Sequence, residues 1–393
     1  MDITRVKQHK EDQVRDWATL PGGVVGKIAD NLSLYDYLCF SNVCKTWRSY
    51  QEETITLHRN QRSPGFPWLV MSMETEAQTL SCISLLEKNK LWQFEMPSSS
   101  GELCWGCIED WLFIVKHIND FFLMRISLLN PFTGSEVVLP IKDMVNSKLV
   151  FSGDPGKQNC VYMLLCYIGS TFDVWIPEAK HWCQCGPEEV TDDLIDLICF
   201  KGSFYLLTNE YNIRVLDATH AYSTIQTQGY KKQIDTRFHK IEMSSDIPRE
   251  NTPCIDIQIF RYMVEFGDGI LLIVRFLKDN FKETYDFKVF RLDMSKKEWV
   301  KLDSLGDCVI FLGRNCSRCY STKELGGDMG NCIYFTNGSG FRSWMVDDIK
   351  RYCSIEKDDW GVFRLNSDGS ERFSQPPVWL TAPLWWYFNK FRP

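Results

Sequence analysis

Between residues 17 and 48 the apolar positions recur at helical spacing, and from about residue 66 they fall instead into short runs broken by turn residues. Val24 and Val25 lead to Ile28 and then Leu32, steps of three and four that put these side chains on one helix face. Pro21 suits the first turn of that helix, where a backbone N–H has no partner within the helix. Ser33 followed by Asp36 has capping-box spacing and predicts a second helix carrying Leu34, Leu38 and Phe40. Ser41 predicts the cap of a third, short helix with Val43, Cys44 and Trp47 along one side and Arg48 next. Residues 1–16 are polar and predict a frayed, flexible tail. Three helices this short cannot bury all of their apolar faces against one another, so part of that surface needs a partner.

The later runs include WLVMSM (68–73), CISLLE (82–87), WLFIV (111–115), CVYMLLCYI (160–168), SFYLLT (203–208), DGILLIVRF (268–276) and CIYFT (332–336). Few are long enough for helices, and β-branched and aromatic residues dominate them, so they predict strands. A weak internal repeat joins them: an apolar strand, then Pro, Asn or Asp, a turn, and a second short strand. It occurs in ISLLNPFTGSEVVL (126–139), FDVWIPEAKHWCQC (172–185), NIRVLDATHAYSTIQ (212–226), FKVFRLDMSKKEWVKL (287–302) and WGVFRLNSDGSERF (360–373). A fainter copy is CISLLEKNKLWQF (82–94), and between copies lie pairs with a Gly-centred turn, LICFKGSFYLL (197–207) and MVEFGDGILLIV (263–274).

Two hairpins make four strands, and the early hairpins recur every 41–46 residues, close to the period of propeller blades. Stretches near 227–255 and 313–331 read as insertions. The predicted fold is mainly β with a small α-helical N-terminal module. Residues 51–65 are read as a linker and 66–393 as a β-propeller of six or seven blades, whose ring leaves only short edges. A pair of β-sandwich domains is the alternative.

Composition supports the strand reading: 14 Trp, 15 Tyr and 25 Phe raise the aromatic share to 14%, and such residues suit half-buried pleated surfaces. A net charge of −7 argues against coating nucleic acid, which needs concentrated Lys and Arg. The opening MDITRVKQHKEDQVRDW lacks the apolar core of a signal peptide, and no uncharged apolar run approaches the ~18 residues of a membrane span. The 16 cysteines are therefore expected to be reduced and mostly buried, as with Cys166 and Cys199 inside apolar runs, in a cytoplasmic or nuclear protein. The glycosylation-type triplets at Asn31, Asn315 and Asn337 are then chance matches.

The ordered set Trp17, Leu20, Pro21, Val24, Val25, Ile28, Leu32, Asp36, Val43, Cys44, Trp47 and Arg48 resembles the F-box, here at residues 17–50. That resemblance implies docking to a Skp-type adaptor and, through it, to a cullin scaffold. It makes Leu20, Pro21, Ile28, Leu32, Leu34 and Leu38 the adaptor-binding candidates. Trp17, Val43, Cys44 and Trp47 become the module's core. The sequence departs from the family at Gly22 and Gly23, where acidic and helix-favouring residues are common; each glycine costs up to about 1 kcal/mol relative to Ala, which lowers the expected strength of docking.

Five later stretches carry a second resemblance: LLNPFTG (128–134), CFKGSFYLL (199–207), FKVFRLDMSKKEWVKLDSLGDCVIFLGRNCS (287–317), GNCIYFT (330–336) and PPVWLTAPLWW (376–386). They are similar to plant F-box proteins with a C-terminal propeller related to the kelch type. The resemblance implies a non-catalytic substrate-recognition subunit of an SCF-type ubiquitin ligase, with an unidentified protein substrate. A protein-binding propeller outside any ligase, with a degenerate F-box, is the alternative; a propeller enzyme or carbohydrate binder is a third.

Chemical motifs are sparse. Cys104 and Cys107, Cys316 and Cys319, and Cys183 and Cys185 are closely spaced pairs, but they lie too far apart in sequence for a compact four-cysteine zinc site. Cys316 and Cys319, flanked by Arg314 and Arg318, are the best candidates for reactive thiols. GxSxG, HExxH, GxGxxG and GxxxxGK[ST] are absent, and His9, His58, His117, His181, His220 and His239 have no partner at site spacing. No catalytic residue, metal or cofactor is expected. Trp379, Trp385, Trp386, Tyr387 and Phe388 are expected to close the ring, and the charged stretch 231–250 to be a solvated loop.

Overall fold

A computed structural model describes residues 17–29, 40, 43–47, 49, 68–74, 79–84, 90–95, 102–108, 111–118, 123–130, 135–143, 147–166, 171–185, 193–234, 238–244, 247, 258–278, 283–313, 317–325, 330–335, 361–365, 370–371 and 385–387. The chain divides into two compact units, Met1–Gly65 with Phe391–Pro393, and Phe66–Lys390.

In the smaller unit a 3-10 turn at Trp17–Thr19 leads into helix α1, Gly22–Ala29. The Pro21 carbonyl accepts from Val25 N at 3.1 Å, which starts the helix without needing the N–H that proline lacks. Val25 and Ala29, one turn apart, are buried with Phe40 and Trp47, while Leu20, Ile28 and Cys44 pack partly against them. The Phe40 and Trp47 rings lie 4.5 Å apart, and Trp47 Nε1 donates to the Trp17 carbonyl at 3.2 Å. The buried face of α1 is thus Val25–Ile28–Ala29 and leaves Val24 exposed; adjacent residues lie about 100° apart round a helix.

The larger unit is a β-propeller. Sheet 1 contains β1 (Trp68–Glu74), β2 (Thr79–Ser84) and β3 (Lys90–Glu95). Sheet 2 contains β4 (Glu102–Ile108), β5 (Trp111–His117), β6 (Leu123–Leu129) and β7 (Glu136–Asp143). Sheet 3 contains β8 (Ser147–Phe151), β9 (Tyr162–Cys166), β10 (Thr171–Trp175) and β11 (Cys183–Cys185). In sheet 4, β12 (Leu194–Phe200), β13 (Ser203–Thr208) and β14 (Ile213–Asp217) are followed by helix α2 (Ala218–Thr227). Then β15 (Gln233–Ile234) joins β11 of sheet 3, and β16 (His239–Ile241) completes sheet 4 beside β14. Sheet 5 is β17 (Gln258–Phe266), β18 (Gly269–Lys278), β19 (Glu283–Asp293) and β20 (Glu298–Leu302). Sheet 6 contains β21 (Cys308–Leu312), β22 (Arg318–Ser321), β23 (Cys332–Phe335), β24 (Gly361–Arg364) and β25 (Ser370–Glu371). Finally β26 (Trp385–Tyr387) returns to pair antiparallel with β1, Trp386 opposite Leu69.

Six sheets are therefore formed by the described residues, within the six or seven expected. Innermost strands of neighbouring sheets meet at β8 and β12, β12 and β17, β17 and β22, and β26 and β4. The turns follow local chemistry. Phe200 pairs with Ser203 across Lys201 (φ 48°) and Gly202 (φ 76°), the two positive-φ residues of a type I′ hairpin. Asp293 Oδ1 accepts from Ser295 N and Lys296 N, both at 3.0 Å, and so organises the β19–β20 turn.

Three expectations are corrected. The second half of NIRVLDATHAYSTIQ is the helix α2, not a strand. Asp217 caps it by accepting from His220 N at 2.8 Å, and Ala218, Ala221 and Ile225 are its buried face. The stretch 227–255, read as an insertion, holds β15 and β16. The stretch 313–331, read the same way, holds β22, the innermost strand of sheet 6.

Apolar side chains fill the gaps between sheets in three clusters, through sheets 2 to 4, between sheets 4 and 5, and between sheets 5 and 6. Polar staples cross the same gaps. Lys142 of β7 reaches Asp173 of β10 at 2.9 Å. Lys148 of β8 reaches Asp196 of β12 at 2.6 Å, and the other Asp196 oxygen accepts from Met263 N of β17 at 2.5 Å. Arg275 of β18, 1% exposed, donates to Thr284 Oγ1 at 2.7 Å and lies 4.8 Å from the Phe335 ring of β23. Every one of these buried polar groups has a partner, as burial without one is costly.

Candidate protein-interaction site

Three of the six adaptor-binding candidates, Leu20, Pro21 and Ile28, lie among the described residues, as does their neighbour Val24. Pro21 and Val24 are exposed at the start of α1, and Leu20 and Ile28 are half-buried on the cluster around Trp47. Together they form an apolar strip with an inner edge anchored in the core and an outer edge facing solvent. Leu32, Leu34 and Leu38 lie outside the described residues.

Of the four residues expected in the core, Trp47 is buried and Cys44 packs partly against it. Trp17 and Val43 are 58% and 54% exposed. The correction has a local cause at Trp17: its backbone carbonyl, rather than its ring, makes the contact, by accepting from Trp47 Nε1. Phe40 occupies the ring position instead, beside Trp47. Both glycines are helical, and a methyl group at Gly23 would meet nothing within 4 Å.

Among the described residues the cysteine and histidine candidates do not come together in a group of three or more that could hold a metal ion. Cys183 is buried on β11, and Cys319 is half-buried on β22 with Sγ 4.0 Å from the Tyr320 carbonyl. Cys316 and Arg314 lie outside the described residues. Burial pushes the Cys160 thiol up to about 11, so this thiol stays protonated and unreactive at neutral pH. His220 and His239 are exposed, whereas His181 Nε2 is buried without a hydrogen-bond partner. Among the described residues no group of three or more His, Cys, Asp or Glu is arranged to hold a metal ion, and no helix is long and apolar enough to cross a membrane. In the charged stretch, exposed Lys240 and Glu242 sit 3.5 Å apart.

The most characteristic stretches in the sequence turn out to build a junction. Asn331 (φ 59°) accepts from Leu305 N at 2.8 Å through Oδ1 and donates from Nδ2 to the Leu365 carbonyl at 2.9 Å. Gly306 turns at φ 58°, and a methyl group on Gly330 would lie 2.8 Å from its carbonyl oxygen. LDSLG and GNCIYF thus meet in space and lock the start of sheet 6 against the end of sheet 5. Their role is structural.

Comparison with known proteins agrees with both units. The F-box domain matches residues 17–52, and the KIB1-4 beta-propeller matches residues 81–364. An F-box/kelch-repeat protein of Arabidopsis thaliana is 25% identical over 385 residues, covering 93% of this chain and 95% of the relative. An F-box protein of the same plant is 21% identical over 384 residues, covering 95% and 91%. Among solved structures, a functionally unknown protein from Desulfotomaculum acetoxidans covers 82% of this chain and 89% of its own, at 10% identity and a TM-score of 0.38, too low to carry an argument. The chain belongs to the KIB1-4 beta-propeller family and carries an F-box domain ahead of the propeller.

Proposed function

We propose that this protein is the substrate-recognition subunit of an SCF-type ubiquitin ligase. The observation that carries the reading is the union in one chain of an F-box at residues 17–52 and a KIB1-4 propeller at 81–364. An F-box implies binding to a Skp-type adaptor in general, and F-box plus propeller is an arrangement typical of non-catalytic substrate adaptors.

On this reading Leu20, Pro21 and Ile28, with Leu32, Leu34 and Leu38, contact the adaptor, and the adaptor links the chain to a cullin. The propeller holds a target protein. Catalysis then consists of proximity: tethering raises the effective concentration of target lysines near the ubiquitin-charged enzyme, and no side chain of this protein takes part in bond making. Such a subunit works in the cytoplasm or nucleus.

The test is co-purification with a recombinant Skp-type adaptor, comparing the native chain with Pro21→Ala/Val24→Asp. Pro21 is one of the proposed contacts and Val24 is its exposed neighbour in the first turn of α1, so the change alters the docking surface and leaves the Trp47 cluster in place. Adaptor recovery is expected to fall at least about tenfold, the equivalent of ~1.4 kcal/mol, while the circular dichroism spectrum stays the same. Equal recovery from both chains overturns the docking surface, and no recovery from the native chain overturns the ligase reading.

A further inference from the structure

Where β12 turns into β13, β17 into β18 and β19 into β20, the edges of sheets 4 and 5 enclose an open cleft of about 620 Å³. Volumes of this order accommodate a ligand or several side chains. Phe200 and Tyr205, with ring centroids 6.1 Å apart at 64°, form one wall. Met294 and Val300 form the outer rim and are 44% and 40% exposed. A rim this open suits a chain segment lying across the cleft better than an enclosed small molecule.

The charges around the cleft are unequally engaged. Asp268 is paired with Lys201 at 2.9 Å, and Asp293 is occupied by the Ser295 hydroxyl at 2.6 Å and by two backbone N–H groups of its own turn. Lys296 faces Glu298 at 3.5 Å. Arg291 alone has no carboxylate partner among the described residues. Its guanidinium rests over the β17–β18 turn, where a methyl group on Gly269 would meet Arg291 Nε at 3.5 Å. A planar fork of donors lining the same cleft as two aromatic rings matches a carboxylate near an apolar side chain. In a chain whose net charge is −7, a cation with no carboxylate partner among the described residues, in a cleft whose other charges are paired or held in their own turns, is a local feature that selects for acidic partners.

We propose that this cleft docks an acidic peptide segment of the target protein, with a bulky apolar side chain against Phe200 and Tyr205 and a carboxylate on Arg291. The proposal rests on the reading of the propeller as a target receptor. It is tested by selecting a phage-displayed library of random nine-residue peptides on the full-length protein. The peptides enriched are expected to combine Asp or Glu with Phe, Trp, Leu or Ile. A synthetic peptide from that set, followed by fluorescence anisotropy, is expected to bind Arg291→Glu and Val300→Asp at least about tenfold more weakly than the native chain. Arg291→Lys, which keeps the charge and loses the fork, should fall between. Both weakened residues are exposed, and an unchanged thermal midpoint locates the loss at the cleft. Failure to enrich any peptide, enrichment of peptides without acidic residues, or binding to Arg291→Glu within about twofold of the native chain overturns the site. Adaptor recovery separates the two readings. A chain that recovers the adaptor but selects no peptide loses the cleft alone; one that selects acidic peptides without recovering the adaptor loses the ligase reading alone.

Discussion

Replacing Asp196 by Ala should be among the most damaging single changes in the propeller. The Lys148 and Asp196 side chains are 6% and 3% exposed and meet at 2.6 Å, and the second carboxylate oxygen holds Met263 N at 2.5 Å. The substitution strands an ammonium without its counter-charge and an amide without its acceptor, at the meeting of sheets 3, 4 and 5. Removing one partner of a buried pair costs about 3–5 kcal/mol. The stranded amide contributes about 1 kcal/mol more, but the two losses share a site and do not add in full. A destabilisation of about 4 kcal/mol is expected. For a unit spanning Phe66–Lys390, with an unfolding entropy of about 2.1 cal/mol/K per residue, that lowers the thermal midpoint by about 6 °C. Urea unfolding followed by tryptophan fluorescence, with calorimetry beside it, measures both. A cycle with Lys148→Met, Asp196→Leu and the double variant isolates the pair. The double variant buries no charge and should recover to within about 2 kcal/mol of the native chain. If Asp196→Ala costs under about 1 kcal/mol, or the coupling is under about 0.5 kcal/mol, the staple does not hold the sheets as argued.

Other residues give smaller, independent tests. Gly330→Ala pushes a methyl group to 2.8 Å from the Gly306 carbonyl oxygen and is expected to cost about 1–3 kcal/mol; an unchanged melting curve contradicts the tight junction between sheets 5 and 6. Gly23→Ala meets open space within α1 and should stabilise the smaller unit by up to about 1 kcal/mol, read as slower hydrogen exchange in α1; faster exchange refutes it. Burial outweighs the nearby Lys142 and holds the Asp173 carboxyl above the usual carboxylate range. The native state then keeps a proton that the unfolded chain has released, so this group's contribution is greatest below the unfolded pKa and declines as pH rises through the folded one. Asp173→Asn should flatten that part of the stability–pH curve, and an identical slope in both proteins rules the assignment out.

Much of the architecture was legible because it is local. Strand runs, the Lys201–Gly202 hairpin and the Asp293 turn are written in adjacent residues, and the structure has them in place. The misreadings were also local. Asp217 followed by Ala-Thr satisfies both a hairpin turn and a helix cap, and the three- and four-residue steps from Ala218 to Ala221 to Ile225 were the signal that decides for the helix. Strands as short as β15 and β16 have no apolar run to announce them, since they exist by pairing with β11 and β14. In the F-box unit, spacing put Val24, Val25 and Ile28 on one face of α1, but Val25 is buried and Val24 exposed because only one side of so short a helix meets Phe40 and Trp47.

By itself, then, the order of apolar and turn residues determined two modules, a helical one and a strand-rich one repeating at blade length. Only the tertiary structure decided which polar residues become interior staples. Lys148 and Asp196 are 48 residues apart, and Asp196 and Met263 are 67 apart. No local pattern pairs them, because a charge becomes tolerable in the interior only where another sheet brings its partner within hydrogen-bond reach. The same holds for Arg291, which has no carboxylate partner among the described residues and shares its cleft with Phe200 and Tyr205 only because the turns of two sheets meet there.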